Sequence, residues 1–266
     1  MHSLLSTTTS LLVGLALSAA IAWAAYRRGS LDRSGLYAAT FVGALVLGLG
    51  GGTAGAALLV FFVTGSALSH HRAEEKERIV GDQVEKGGRR DVAQVLANGG
   101  VAALCSLLFV VRGDEALRGA AVGSLAAAAA DTWATEIGVL LGGRPRMLLT
   151  LRPVAPGTSG AVSLPGLAGM AAGAALLAVV AALGLGLRAA APVFCAGVLG
   201  SMADSLLGAT VQERRACTGC GQETEQRRHL CGAATAVCGG IAGVDNDVVN
   251  ALCTALGAAV AWLLWP

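Results

Sequence analysis

Eight apolar stretches of roughly 16 to 24 residues follow one another along the chain, near residues 10–26, 35–50, 53–69, 92–111, 119–142, 165–187, 190–211 and 246–265. A bilayer core is about 30 Å thick and takes about 20 apolar residues as a helix, because a spanning segment must satisfy its own backbone groups. The stretches therefore predict an all-α, polytopic membrane helix bundle with about eight transmembrane helices, one integral membrane domain over residues 1–266. Composition agrees, since 55% apolar and only 14% charged residues, with a mean hydropathy of +0.66, fall outside the range of soluble domains. The 38 glycines suit helices that pack closely without a hydrophobic force between them. There is no basic tail or aromatic-basic patch, so nucleic acid is excluded as a partner.

Residues 11–25 resemble the apolar region of a secretory signal, but Arg27 and Arg28 follow the run rather than precede it. A signal peptide carries its positive charge first, so the segment reads as a first transmembrane helix. Alternating the loops between two sides puts sixteen of the 19 basic residues on one face: Arg27, Arg28, Arg33, Arg72, Lys76, Arg78, Lys86, Arg89, Arg90, Arg144, Arg146, Arg152, Arg214, Arg215, Arg227 and Arg228. Only Arg112, Arg118 and Arg188 fall on the other. The positive-inside rule makes the first face cytoplasmic and leaves both termini non-cytoplasmic. The glycine-rich joint GLGGGTAG divides the second and third runs, and the apolar residues 232–243 are too short to span, so they are expected to be re-entrant or interfacial.

Polar residues inside the runs gather in the cytoplasmic half. At about 1.5 Å per residue, Glu136 lies about six residues from that end of its helix and Asp131 about eleven. Asp204 lies about seven in, with Ser201 and Ser205 beside it, and Asn98 about six. Thr64 and Ser66 occupy the last turns of the third run, while Asn246, Asp247 and Asn250 open the last helix. An ionised acid at a helix centre costs roughly 2.5–3.5 kcal/mol on insertion scales, and no lysine stands within a span to offset it. A divalent cation or a hydrated cavity is the expected partner. Oxygen ligands from Asp131, Asp204, Glu136 and Asp247 suit Mg²⁺, which keeps several waters and bridges carboxylates to phosphates. The bland alternatives are a protonated acid joining two helices and, for Asn98, an amide that only packs helices. Asp131 and Glu136 are about 140° apart round the helix, so they cannot both face one ion; Asp131 is the better ligand.

Two loops carry further chemistry. In GGRPRMLLTLRPVAPGTSGAVSLPG, Arg144, Arg146 and Arg152 could neutralise phosphate, and Gly157, Thr158, Ser159 and Ser163 could form an anion nest; topology alone would also make this loop basic. It lacks the P-loop spacing. Lys76, in the charged loop 70–90, is a further candidate phosphate contact. In CTGCGQETEQRRHLC, Cys217 and Cys220 stand at C-x2-C spacing with His229 and Cys231 following, a ligand set for structural Zn²⁺ within a cytoplasmic knuckle over residues 212–231. Unliganded thiols are the alternative.

The blocks FFVTGSALSHHRAEEK, GRRDVAQVLANGGV, AADTWATEIG, PGTSGAVSLPG, GVLGSMADSLLGATVQ and VDNDVVN occur in an order that resembles the integral membrane family catalogued as domain of unknown function 92, which includes the plant phytyl-phosphate kinase. The resemblance implies a phosphotransferase that converts a prenyl monophosphate to the diphosphate with a nucleoside triphosphate, CTP being favoured. It also implies a threonine and lysine just after the third run, where this chain has Ser69, His70 and His71. The Cys-rich insert occurs in part of the family and is not expected to serve the chemistry. A lipid-phosphate nucleotidyltransferase using CTP, or an ion-coupled secondary transporter, would place acids similarly.

Overall fold

The computed structural model describes residues 2–81 and 89–266; Lys86 of the charged loop lies outside them. Helices α1 (His2–Arg27), α2 (Arg33–Leu49), α3 (Gly51–His70), α5 (Val92–Arg112), α6 (Glu115–Leu141), α7 (Leu164–Leu185), α8 (Ala190–Thr210) and α9 (Asn246–Leu263) coincide with the eight apolar runs, and a short α4 (Ala73–Val80) follows α3. Among the described residues, six of these segments are long and apolar enough to cross a membrane. The two that fall short are α2, apolar but of 17 residues, and α6, the longest at 27 residues but diluted by Asp131 and Glu136.

Capping fixes where the helices start. The side chains of Asp32, Asp91, Asp114, Ser163 and Asp245 each accept a bond from a backbone N–H in the first turn of α2, α5, α6, α7 and α9, filling donors that a helix terminus leaves open. Between α2 and α3 the chain breaks at Gly50 and Gly51, the latter at φ +77°, a left-handed conformation that glycine adopts at no steric cost.

Helix α6 is the axis of the bundle, with α3, α5, α7, α8 and α9 packed around it. The alanines at 126–130 are 0% exposed, because their neighbours are equally small. A Cβ on Gly200 of α8 or Gly257 of α9 would come within 2.5 and 2.7 Å of the Ala127 Cβ, so the backbones of α8 and α9 close onto α6 only because those glycines lack one. Large apolar side chains such as Leu15, Phe41, Val63, Val111 and Leu183 are exposed on the outside, as a lipid-facing surface requires.

Two small sheets decorate one end of the bundle. In the α6–α7 loop, β1 (Arg146–Met147) pairs antiparallel with β2 (Ala161–Val162). Between α8 and α9, β3 (Arg214–Cys217) runs at the centre of a sheet, antiparallel to both β4 (Glu223–Thr224) and β5 (Thr235–Gly239). This corrects the expectation for residues 232–243. Its residues Thr235–Gly239 are the third strand of a ribbon, Thr235 facing Cys217, and not a segment that re-enters the bundle. Its β-branched Thr235 and Val237 between glycines favour an extended chain, and its backbone bonds are made to β3 rather than within a helix.

Candidate functional site

Three helices that pack on one another, α6, α8 and α9, bring the intramembrane acids together. Asp131 of α6 has Ser201 of α8 as its hydrogen-bonding neighbour, and Ser201 is 1% exposed. One turn further along α8, Asp204 lies in the fields of Asp131 and of Glu225, and its Oδ2 is buried without a hydrogen-bond partner. Ser205 is half-buried next to it. Cys253 of α9 is buried and lies in the fields of both aspartates. On the same helix, Asn250 turns its amide back to the Asn246 carbonyl at 2.9 Å, with Asn246 exposed and Asp247 half-buried in the first turn.

The two loops cover this cluster. A Cβ on Gly160 would lie 2.3 Å from the backbone N of Ala209, so the PGTSG segment presses directly on the end of α8. There the Ser159 hydroxyl donates to the Glu225 carboxylate, and the Gln212 amide donates to both, at 2.9 Å each. Glu225 follows β4 and is thereby carried from the ribbon into the field of Asp204. Of the rest of the expected anion nest, Thr158 donates to the Ala155 carbonyl at 2.8 Å, Gly157 takes φ +85°, and Ser163 caps α7. Arg146 braces its own hairpin through the Leu151 carbonyl at 2.8 Å, while Arg144 and Arg152 are exposed. A small polar pocket opens over Gln212, Glu225, Arg227 and Asn246.

Glu136 belongs to a different face of α6. Its Oε1 accepts from the Ser69 hydroxyl at 2.6 Å and its Oε2 from the Lys76 ammonium. The expectation that a divalent cation or hydrated cavity must partner each intramembrane acid is thus overturned for Glu136, which a lysine reaches from α4, outside the spans. After Arg72, in a left-handed conformation at φ +51°, α4 folds back under α3, and buried Lys76 also donates to the Leu68 and Ser69 carbonyls at 2.6 and 2.9 Å. Lys76 enters the bundle as the partner of Glu136, not as a free phosphate contact at its surface. Close by, the Trp133 indole donates to Thr64 at 3.3 Å, and the Ser66 hydroxyl is buried without a partner. Arg90 inserts here too, its guanidinium 5.5 and 5.8 Å from the ring centres of Phe61 and Phe62 and in the field of Glu136. Asn98 donates to the Gln94 carbonyl at 2.9 Å.

In the ribbon, one donor atom each from Cys217, Cys220, His229 and Cys231 lie within 4.8 Å of one another. The Cys217 and Cys231 sulfurs are 3.4 Å apart, and Cys220 Sγ is 3.5 Å from His229 Nδ1. Backbone N–H groups of Cys220 and Gly219 hold the Cys217 thiol down at about 6. Three sulfurs and an imidazole at this separation can hold a metal ion, and the set fits tetrahedral coordination.

The sequence profile of the integral membrane protein family DUF92 matches residues 16–258. The chain belongs to that family. Among DUF92-type relatives it is 35% identical to Protein PGR of Arabidopsis thaliana, covering 78% of this chain and 81% of that protein. It is 29% identical to an uncharacterized membrane protein of Methanocaldococcus jannaschii, over 79% and 87%, and 27% identical to the chloroplastic Protein VTE6 of Arabidopsis thaliana, over 88% and 65%. No solved structure matches. Within the DUF92 bundle, Arg90, Glu225, Gln212 and Cys253 are the residues beside the candidates that the sequence did not single out. Arg90 and Glu225 sit in loops whose charge topology and solubility already explain, and only the folding of those loops onto α3, α6 and α8 gives them a place.

Proposed function

We propose that the protein is a membrane kinase that phosphorylates a prenyl monophosphate to its diphosphate with a nucleoside triphosphate, CTP by preference, and Mg²⁺. The observation that carries this reading is the buried Asp204 Oδ2, which has no hydrogen-bond partner although the side chain lies in the fields of Asp131 and Glu225. Three like charges converging in a low-dielectric site repel unless a cation joins them, and a hard oxygen donor set fits Mg²⁺. The resemblance of this family's motif blocks to those of the plant phytyl-phosphate kinase supports the substrate class.

In this reading Asp131 and Asp204 hold the ion, Ser201 orients Asp131, and Glu225 lends further negative charge from the ribbon. Bound Mg²⁺ would neutralise charge on the triphosphate. The polar cavity beside Asn246 and Arg227 receives the nucleotide, with Asn250 and Asp247 below it. A terminal oxygen of the prenyl phosphate attacks the γ-phosphorus, the bond from that phosphorus to the β–γ bridging oxygen breaks, and the nucleoside diphosphate leaves. The nucleophile is already an anion, so positioning and charge neutralisation supply the catalysis and no general base is needed. The site faces the cytoplasm of a cell membrane, where nucleotide is available, and eight spans leave both termini outside. The Cys217, Cys220, His229 and Cys231 cluster holds structural Zn²⁺, since all four positions are filled by protein and none is left open for a substrate.

Purified protein with Mg²⁺, CTP and geranylgeranyl or phytyl phosphate tests the reading. The expected products are the prenyl diphosphate and CDP. A CDP-lipid with pyrophosphate would replace the kinase by a nucleotidyltransferase, and a Mg²⁺-independent ion flux in liposomes without lipid product would replace it by a transporter.

A further inference from the structure

An apolar slot opens between α1, α2, α3 and α5. Its walls are almost wholly apolar, with Ala39, Leu58 and Val95 among them, and its polar groups are few: Arg90, Gln94, Asn98 and Ser18. Ser18 already donates to the Thr40 carbonyl at 2.9 Å, and Asn98 to that of Gln94. The Gln94 side-chain oxygen is buried without a partner. One end of the slot is therefore chemically unlike the rest.

That end is Arg90. Its backbone is pinned by the bridge to Leu31 and by a bond from the Asp32 N–H to its carbonyl at 3.1 Å, so the guanidinium is delivered rather than left to wander. It is stacked on Phe61 and Phe62, and a Cβ on Gly65 would lie 2.9 Å from its Nη2 and 3.4 Å from the Thr132 methyl. The carboxylate whose field reaches it, Glu136, is already ion-paired to Lys76. Two cations thus share one carboxylate in this desolvated corner. A guanidinium carries five N–H donors in a planar fork suited to phosphate, and stacking on rings engages none of them.

The geometry points to this slot as the binding site for a single-chain isoprenoid monophosphate, its tail between α2, α3 and α5 and its phosphate on Arg90, beside Thr132 and one residue along α6 from Asp131. The identity of the lipid rests on the kinase reading; the slot and its charge do not.

The test uses the full-length protein in nanodiscs without nucleotide or Mg²⁺, and a geranylgeranyl phosphate carrying a tritium label and a diazirine near the tail end. Label is expected on peptides of α2, α3 and α5, displaced by unlabelled geranylgeranyl phosphate but not by geranylgeraniol at equal concentration. Ala39→Trp and Arg90→Gln should each weaken binding by about tenfold. Label spread over the outer surface or confined to α8 and α9, or displacement by phosphatidic acid as readily as by the isoprenoid phosphate, would overturn the assignment; the wild-type crosslinks alone decide this if either variant fails to fold. Slot-dependent binding without any diphosphate product would defeat the kinase reading alone. Equal rates of diphosphate formation in wild type, Ala39→Trp and Arg90→Gln would defeat the slot alone.

Discussion

Asp131 and Glu136 occupy one helix and play opposite parts. Glu136 is matched by Lys76 and Ser69, whereas Asp131 meets other carboxylates across α8. Removing one member of a buried pair leaves an uncompensated charge and costs about 3–5 kcal/mol. Lys76→Met should therefore lower the melting temperature of the detergent-solubilised protein clearly, and Lys76→Met with Glu136→Leu should recover part of the loss; an unchanged melting temperature in the single variant would show that the pair does not form. Asp131→Asn and Asp204→Asn should do the reverse, leaving the melting temperature unchanged or raised by relief of repulsion, while activity falls by about a hundredfold or more. At this scale the sequence was informative wherever charge stood in an apolar run, as at Asp131 and Asp204. It was silent on Lys76 as the partner of Glu136, because the reversal of the chain at Arg72 depends on a single backbone conformation.

Among elements, the helices were legible because each crossing demands its own run of apolar residues, and the break at Gly50 and Gly51 because the joint is written in glycine. The ribbon was only half legible. Its ligand spacing showed in CTGC and HLC, but the strand Thr235–Gly239 lacks a periodic pattern of its own and exists through pairing with β3. The consequence that spacing could not show is mechanical: the same ribbon carries Glu225 to Ser159, Gln212 and Asp204. Purified protein should contain about one zinc per chain by elemental analysis, and Cys217→Ser or Cys231→Ser should abolish it. Glu225→Gln should keep the zinc and weaken binding of Mn²⁺, used as a spectroscopic substitute for Mg²⁺; zinc-free wild-type protein with an intact ribbon would contradict the assignment.

For the whole molecule, the bundle has two unlike ends. One holds the α2–α3 joint, where Arg118 approaches Gly51, and Trp262, whose indole donates to Asp114 at 3.3 Å. The other gathers both small sheets, α4 and most of the basic loops. If eight helices cross and the basic end is cytoplasmic, reporter fusions at residues 1 and 266 should both read outside, and single cysteines introduced in the 144–152 loop should react only with permeant reagents. Opposite locations for the two termini would remove a span from the count. The account as a whole is tested most directly by label transfer from [γ-³²P]CTP to geranylgeranyl phosphate, run beside [α-³²P]CTP with wild type, Asp131→Asn and Asp204→Asn. It predicts that only the γ label enters the lipid, that transfer needs Mg²⁺, and that both variants lose it while remaining folded. Entry of the α label, or undiminished γ transfer in both variants, would contradict it.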